Sequence, residues 1–323
     1  MPISILTGFL GSGKTTLLRR VLASPGLADT AVLVNEFGAV GLDHLLLHAV
    51  GQDVVLLPSG CVCCVMRQDL ASSLYGLLRR RGSGELPPFR RLVLETSGLA
   101  EPAPILFTLS ADAFLENALR LDKVVTTIDS VAGLSTLDQF QEAAMQVACA
   151  DCLVLTKTDL APAPPTLLAK LTAMNPGAVV LDASTANPVA LIFGGDNREA
   201  PRRNRFVATV PHTFGIEARV VVLRNPMTRL AFAMALGGLA QDRGEDLLRV
   251  KGLMQFADRD GAPAVIHAVQ HTMYPPEWLD AWPDGDHTSR LVFITRGIPL
   301  AEIMARFEAG DPVLAETTTG GEN

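Results

Sequence analysis

The sequence has no apolar run long enough to cross a membrane and no excess of positive charge. None of its stretches reaches the roughly 18 apolar residues of a spanning helix. The first residues lack the basic region, apolar region and cleavage site of a secretion signal. The formal net charge of −7 argues against a nucleic acid or an anionic membrane as the main partner. We therefore expect a cytoplasmic protein.

Cysteine and histidine are also scarce, with five and six residues among 323. In a reducing compartment, five cysteines do not predict a disulfide framework, so a cluster among them has to be weighed as a metal or redox group. The six histidines form no tract. What the sequence does have is 48% hydrophobic residues and a length that allows a substantial core and two domains.

The segment GFLGSGKTT, at residues 8–16, lies between a short apolar run and a helix predicted over residues 15–22. A glycine-rich turn between a strand and a helix is the context of a phosphate-binding loop, because backbone N–H groups and the positive end of the helix dipole face the phosphates. Lys14 is expected to reach the β- and γ-phosphates, and Thr15 to bind Mg²⁺. Phosphate contacts are predicted at Gly8, Gly11, Ser12, Gly13, Lys14, Thr15 and Thr16.

Apolar runs near residues 30–34, 54–57, 91–94, 124–128, 152–155 and 178–181 do not alternate with polar residues. Such runs, separated by helical stretches, predict a parallel sheet covered on both faces. We therefore predict an α/β domain of the P-loop NTPase type, with a doubly wound, mostly parallel sheet, over residues 1–186. Polar segments follow most of these strands, at the end where ligands bind in such sheets.

The pattern changes after residue 186. Residues 187–205 have little periodicity and are the predicted linker. Residues 206–316 predict a smaller α+β domain of mostly antiparallel strands, with strands near 217–223, 247–256, 264–271 and 290–295 and helices over 226–240 and 299–308. The tail at 317–323 is expected to be disordered.

The segments that follow two of the predicted strands narrow the choice of nucleotide. Glu95-Thr96-Ser97-Gly98 follows a strand, where a carboxylate can hold Mg²⁺ through water and the Gly98 N–H can meet the γ-phosphate. Thr156-Lys157-Thr158-Asp159 resembles the Asn-Lys-x-Asp segment by which GTPases recognise guanine. Asp159 can accept hydrogens from the guanine N1 and exocyclic amine, which adenine cannot supply, while the stem of Lys157 lies over the base. Thr156 replaces the usual Asn and lacks its second donor, which puts the tie between the base loop and the phosphate loop in doubt.

The segment Gly60-Cys61-Val62-Cys63-Cys64 places three thiols within four residues after a predicted strand. Cys61, Cys63 and Cys64 can converge on Zn²⁺, Co²⁺ or Cu⁺, and the alternative is a set of buried or redox-active cysteines without metal. Cys149 and Cys152 also have metal-ligand spacing, but we interpret them as core residues at a helix end and a strand start.

Together these residues resemble the CobW family of metal-chaperone GTPases. The resemblance rests on GFLGSGKTT, Asn35-Glu36-Phe37-Gly38, GCVCC, ETSGLAEP at 95–102 and TKTD, in this order over residues 2–185. It continues more weakly at RVKG (249–252) and RLVFI (290–294) in the second domain. The family's frequent histidine-rich stretch is absent here. His44 and His48, spaced i, i+4, are interpreted as packing or surface residues.

The resemblance implies a slow GTPase that binds a transition metal, zinc or cobalt, on the cysteine segment and passes it to a client metalloprotein or a cofactor-synthesis enzyme. It implies that residues 8–16 bind the phosphates of GTP and that Thr15 and Glu95 bind Mg²⁺. Guanine recognition is assigned to Thr156, Lys157 and Asp159. Cys61, Cys63 and Cys64 become the metal ligands. Glu36 matches the family's glutamate that follows a strand, where the resemblance implies a contact with Mg²⁺ or the attacking water, and the alternative is a solvent-facing residue.

Two other classes of protein remain open from the sequence. One is a general P-loop NTPase or small-molecule kinase whose cysteines only pack, and the other is a nucleotide-binding adaptor without catalysis. The sequence does not identify the metal or the client, and it leaves a homodimer open. In the metallochaperone hypothesis, GTP and Mg²⁺ order the loops at 35–41 and 58–67 and align the thiolates, and hydrolysis releases the metal.

Overall fold

The structure is a computed structural model that describes residues 1–27, 29–35, 56–59, 67–194, 214–259, 261, 263–283 and 286–315. The chain divides into two compact units. The first comprises Met1–Leu167 and Val179–Gly195, and the second comprises Leu168–Ala178 and Asp196–Asn323. The limits predicted from the sequence, residues 186 and 206, stay a prediction.

The first unit contains a parallel sheet of seven strands in the order β3-β2-β4-β1-β5-β6-β7. Its strands are β1 (Pro2–Gly8), β2 (Thr30–Asn35), β3 (Leu56–Ser59), β4 (Arg91–Glu95), β5 (Arg120–Asp129), β6 (Cys152–Thr156) and β7 (Val179–Asp182). The helices are α1 (Lys14–Leu22), α2 (Arg67–Gly82), α3 (Pro102–Ala111), α4 (Ala113–Ala118), α5 (Gly133–Gln139), α6 (Gln141–Cys149), α7 (Pro165–Met174, which continues past Leu167) and α8 (Pro188–Ile192).

The central strands β1, β4 and β6 of this sheet are buried on both faces. Leu6 packs with Leu17 and Val21 of α1 in one core, to which Leu191 and Ile192 of α8 also belong. The adjacent residue Ile5 is fully buried and faces the other side, because successive residues of a strand alternate. The predicted doubly wound sheet is therefore confirmed. Part of the predicted linker, residues 188–192, is a helix of this first unit.

The order of the strands fixes where the site lies. Strand β1 is in the middle of the sheet, between β4 and β5, and the chain turns from one half of the sheet to the other at this point. Ligands of open α/β sheets bind at the carboxyl ends of the strands at such a switch point. The phosphate loop follows β1 directly, with the ends of β4 and β5 on either side of it.

The second unit contains an antiparallel sheet in the order β11-β10-β9-β13-β8-β14, with β12 paired to β10. Its strands are β8 (Ile216–Leu223), β9 (Leu247–Met254), β10 (Ala264–Val269), β11 (Thr272–Met273), β12 (Glu277–Trp278), β13 (Ser289–Arg296) and β14 (Pro312–Leu314). The helices α9 (Arg229–Arg243) and α10 (Leu300–Arg306) pack on it through a core that includes Leu236, Phe293 and Phe307. The predicted α+β class is confirmed.

Among the elements predicted in the second unit, one helix and one strand differ most clearly from their predicted bounds. Helix α9 begins at Arg229, three residues after Pro226, because the Thr228 side chain caps it by accepting a hydrogen bond from the Ala231 N–H. The strand predicted over 264–271 is a hairpin of β10 and β11, and Gln270, with φ of 50°, turns the chain between them. No helix in the described part of the chain has the length and apolar character needed to cross a membrane.

Candidate nucleotide site

The loop that joins β1 to α1 has the conformation of a phosphate cradle. Gly8 packs so closely on β5 that a Cβ atom there would lie 2.2 Å from Thr127 Oγ1. Gly13, at φ of 89°, is the N-cap of α1 and has no side chain to cap the first turn. Lys14 Nζ donates to the carbonyl oxygens of Gly8 and Phe9 at 2.8 and 3.2 Å. The loop therefore combines backbone amides, a helix start and an ammonium group, which together suit an anion.

Thr15, in the first turn of α1, contacts Glu95 at the end of β4, and these are the two residues predicted to bind Mg²⁺. Thr15 Oγ1 donates to Glu95 Oε1 at 2.8 Å, and Glu95 is 3% exposed. A hydroxyl and a carboxylate are hard oxygen ligands of the kind that Mg²⁺ prefers beside phosphates. The donor set therefore fits this ion.

Buried hydroxyl pairs fix the phosphate loop to the strands beside it. Ser12 Oγ and Thr127 Oγ1 are 2.6 Å apart. Thr96 Oγ1 donates to Thr7 Oγ1 at 2.8 Å, and the Thr96 N–H donates to the Leu6 carbonyl. Because these residues are buried, each lost hydrogen bond would leave a polar atom without solvent.

The TKTD segment contacts three neighbouring parts of the site in turn. Thr156 Oγ1 donates to the Ser12 carbonyl oxygen at 2.6 Å. Lys157 Nζ donates to Asp129 Oδ2 at 2.6 Å. Thr158 Oγ1 donates to Asp182 Oδ1 at 2.9 Å. Lys157 has a left-handed φ of 57°, which costs a non-glycine residue free energy. The next side chain, Asp159, is exposed. The tie between base loop and phosphate loop, doubtful from the sequence, is made by the threonine hydroxyl.

The two aspartates that brace this segment are held in their charged forms. Burial tends to raise the pKa of Asp129, but hydrogen bonds from Lys157 and from the Ala132 and Val131 amides outweigh it, so its pKa lies below the ordinary value. For Asp182, the effect of burial is likewise outweighed by the Ser184 and Thr158 hydrogen bonds, which also lower the pKa. Both carboxylates therefore stay ionised acceptors at neutral pH.

The predicted metal ligands and one predicted catalytic residue, Cys61, Cys63, Cys64 and Glu36, lie outside the described residues, as do His44 and His48. Their neighbours in the chain are described. Pro58, Val34, Glu95 and Leu6 stand opposite one another in register across β3, β2, β4 and β1. The strand that leads to the cysteines thus ends at the same edge of the sheet as the strands of the phosphate site.

The described part of the chain contains no group of three or more His, Cys, Asp or Glu side chains that could hold a metal ion. Cys149, at the end of α6, and Cys152, at the start of β6, are 0% and 4% exposed. The interpretation of these two residues as core residues is confirmed.

Sequence reasoning did not assign a role to Thr127, Asp129 or Gln146. Thr127 pairs with Ser12, Asp129 holds Lys157, and Gln146 of α6 donates to the carbonyls of Gly98 and Ala100. The only signal for Gln146 in the sequence is a polar residue inside the apolar stretch AAMQVAC. It is fully buried.

The sequence matches two family profiles, one to each part of the chain. Residues 2–182 match the CobW/HypB/UreG nucleotide-binding domain, and residues 216–310 match the C-terminal domain of the cobalamin synthesis protein cobW. The chain belongs to the CobW family. The phosphate loop, the Thr15–Glu95 pair and the TKTD segment all lie within the part that matches the nucleotide-binding profile.

Two relatives in the CobW family align with most of the chain. The zinc chaperone YjiA of Escherichia coli K12 is 32% identical over 315 residues, which are 95% of this chain and 98% of the relative. The zinc chaperone CobW of a Sinorhizobium species is 28% identical over 306 residues, 81% of this chain and 83% of the relative. The solved structure of Zn(II)-bound YjiA GTPase from E. coli has a TM-score of 0.72 to this chain at 28% identity, and the match covers 96% and 98% of the two chains.

Proposed function

We propose that this CobW-family GTPase binds Zn²⁺ on the thiolates of Cys61, Cys63 and Cys64 and delivers it to a client metalloprotein when GTP is hydrolysed. Zinc is favoured over cobalt because the similar chains YjiA and CobW are named zinc chaperones. Three thiolates are soft donors that suit zinc. The client could be an enzyme that needs the metal itself or one that builds a metal-containing cofactor.

In this proposal the phosphate loop and its neighbours bind the nucleotide. The amides of residues 8–16 and the Lys14 ammonium hold the phosphates, and the Gly98 N–H meets the γ-phosphate. Thr15 and Glu95 would hold Mg²⁺, which neutralises charge on the phosphate oxygens when bound. Asp159, exposed after the braced Thr156-Lys157-Thr158 segment, accepts from guanine. Glu36 is assigned to Mg²⁺ or to the attacking water.

The observation that carries the proposal is the register at the edge of the sheet. Pro58 stands level with Glu95, two strands away, so about 10 Å separates them at the usual strand spacing. The cysteine segment begins at Gly60, two residues after Pro58. In the proposal, a loop that leaves this edge of the sheet responds both to the metal and to the γ-phosphate.

Metal analysis of the full-length protein tests this function. We expect one equivalent of Zn²⁺ on protein loaded with a non-hydrolysable GTP analogue, and none on the Cys61→Ser, Cys63→Ser, Cys64→Ser triple variant. Cys149 and Cys152 remain in that variant, so they act as an internal control for adventitious thiol binding.

The same samples separate the other classes of protein. A general NTPase or kinase would hydrolyse nucleotide but bind no stoichiometric zinc, and its turnover would not change in the triple variant. An adaptor would bind nucleotide and release no phosphate, even with zinc present. Either result contradicts the proposed function.

A further inference from the structure

Gln146 is buried in helix α6 and is joined to the segment that follows strand β4. Its Nε2 donates to the carbonyl oxygens of Gly98 and Ala100 at 3.1 and 3.0 Å. Its backbone carbonyl accepts a hydrogen bond from Thr126 Oγ1 of β5, which fixes α6 to the sheet. The residue is 0% exposed. A rigid helix thus presents both hydrogens of one amide to two carbonyls of the loop.

These contacts determine the orientation of the Gln146 amide. If the amide were turned over, Oε1 would face two carbonyl oxygens, and three acceptors without a hydrogen between them repel one another. Gln146 lines a cavity of about 50 Å³ beside the phosphate loop, together with Leu10, Ser12 and Thr127. Its Oε1 is buried and accepts no hydrogen bond from the described residues. A cavity of this size has room for water that could donate to it.

The Gly98–Ala100 segment, which Gln146 holds, contacts the phosphate loop. A Cβ atom at Gly98 would lie 2.6 to 2.8 Å from the side chain and backbone of Leu10, so the two backbones are in direct contact. The other end of the segment is fixed by Thr15 to Glu95 and by Thr96 to Thr7. The position of Gly98 is therefore determined by one anchor on α1, one on the sheet and one on α6.

We propose that Gln146 is a positioning residue that holds the Gly98–Ala100 segment against the phosphate loop before nucleotide binds, and thereby sets the preference for nucleoside triphosphate over diphosphate. The inference rests on the proposed function, because only a γ-phosphate that meets the Gly98 amide would benefit from the held segment. A residue that is ordered in advance does not lose conformational entropy on binding. The diphosphate, which does not reach Gly98, gains nothing.

The test compares the dissociation constants for GDP and for a non-hydrolysable GTP analogue in two pairs of variants. Gln146→Leu keeps the volume and removes both donors, and Gln146→Glu keeps the shape and supplies only acceptors when ionised. The exposed Gln139, at the end of α5, provides the matched controls Gln139→Leu and Gln139→Glu.

We expect the ratio of the GDP to the analogue constant to fall at least about fivefold in both Gln146 variants, the effect of losing one or two neutral hydrogen bonds. The Gln139 controls should keep the wild-type ratio. A purely structural role would lower the melting temperature of the Gln146 variants and leave the ratio unchanged, and that result would overturn the proposal.

Amide hydrogen exchange gives a second test, and its first comparison needs only the wild-type protein. In the wild-type protein, the Ala100 amide, which donates to the Ser97 carbonyl, should exchange at nearly the same rate with and without the GTP analogue. A slowing of tenfold or more on binding would show that the nucleotide orders the segment and would contradict the inference. If the wild type binds no guanine nucleotide, the proposed function fails. The positioning role of Gln146 can still be tested without nucleotide, because the Ala100 amide should exchange more slowly in wild type than in Gln146→Leu. Equal exchange rates would show that Gln146 does not hold the segment.

Discussion

At the scale of single residues, recognition of the base depends on how many hydrogens each side chain can give or accept. The Thr156 hydroxyl has one hydrogen and donates it to the Ser12 carbonyl at 2.6 Å, so it has none to give to a base. Asp159 has two carboxylate oxygens and is exposed. In this account the choice of guanine therefore belongs to Asp159, and Thr156 holds the loop in place.

Asp159→Asn should change the preferred base from guanine to xanthine. The amide replaces one acceptor with a donor, so guanine loses a partner, whereas the second carbonyl of xanthine gains one. We expect GTP affinity to fall by about 100-fold or more and XTP affinity to rise, as measured by competition binding. Asp280→Asn, at an exposed position of the second unit, is the control. Unchanged GTP affinity in Asp159→Asn would assign base recognition to another residue.

Thr156→Val should destabilise the protein more than Thr156→Ser does. Valine keeps the shape but leaves the buried Ser12 carbonyl without this donor, at a cost of about 1–3 kcal/mol in the free energy of unfolding. Serine keeps the donor. Urea unfolding of the two variants measures the difference, and equal destabilisation by both would show that the methyl group, packed about 3.5 Å from the Cβ position of Gly13, matters more than the hydroxyl.

The Asp129–Lys157 pair should contribute stability that depends on pH. Because the pKa of Asp129 is lowered in the folded protein, its contribution is complete above the unfolded pKa of about 4 and is lost as the pH falls through the folded value. Asp129→Asn should therefore be less stable than wild type from pH 6 to 8, and the gap should close below about pH 4. A gap that is the same at pH 3 and pH 7 would contradict this assignment.

At the scale of helices and strands, some boundaries could be predicted and others could not. The central strands of the parallel sheet, β1, β4 and β6, are visible as apolar runs because both of their faces are buried. The start of α9 was placed wrongly because Pro226 is tolerated in a first turn, whereas the structure uses Thr228 as the cap. Residues 188–192 lack helical periodicity in a window of useful length, yet Leu191 and Ile192 are fully buried on α1 and the sheet. Packing of so short a helix depends on its neighbours rather than on its own sequence.

Thr228→Ala should weaken helix α9 and the second unit with it. The variant loses the hydrogen bond from Ala231 N to Thr228 Oγ1, and loss of such a cap costs about 1 kcal/mol. Thr172→Ala, inside helix α7, is the matched control, because alanine is the better helix former there and should be neutral or stabilising. Chemical unfolding measures both, and equal effects of the two changes would remove the capping assignment.

At the scale of the whole molecule, the site depends on the order of the strands, which no local pattern reveals. The phosphate loop, Glu95 and the TKTD segment could be predicted as site residues because each follows an apolar run with a recognisable polar pattern. The contact of Thr156 with Ser12 joins residues 144 positions apart, and that of Gln146 with Gly98 joins residues 48 apart. Both arise only because β4, β1, β5 and β6 are neighbours in the sheet. Long-range pairs of this kind could not be predicted from periodicity.

The same strand order supports the central claim that zinc and GTP respond to each other. The strand that precedes the cysteine segment in the sequence ends at the same edge of the sheet as the strand that ends in Glu95. Coupling between two ligands is reciprocal, because each must change the affinity of the other by the same factor.

The most direct test titrates full-length protein with Zn²⁺ in the presence of a GTP analogue, GDP or no nucleotide, and titrates it with the analogue in the presence and absence of Zn²⁺. We expect the analogue to raise zinc affinity by at least about fivefold, the lower end of ordinary coupling, and zinc to raise analogue affinity by the same factor. Equal zinc affinity in all three nucleotide states would contradict it.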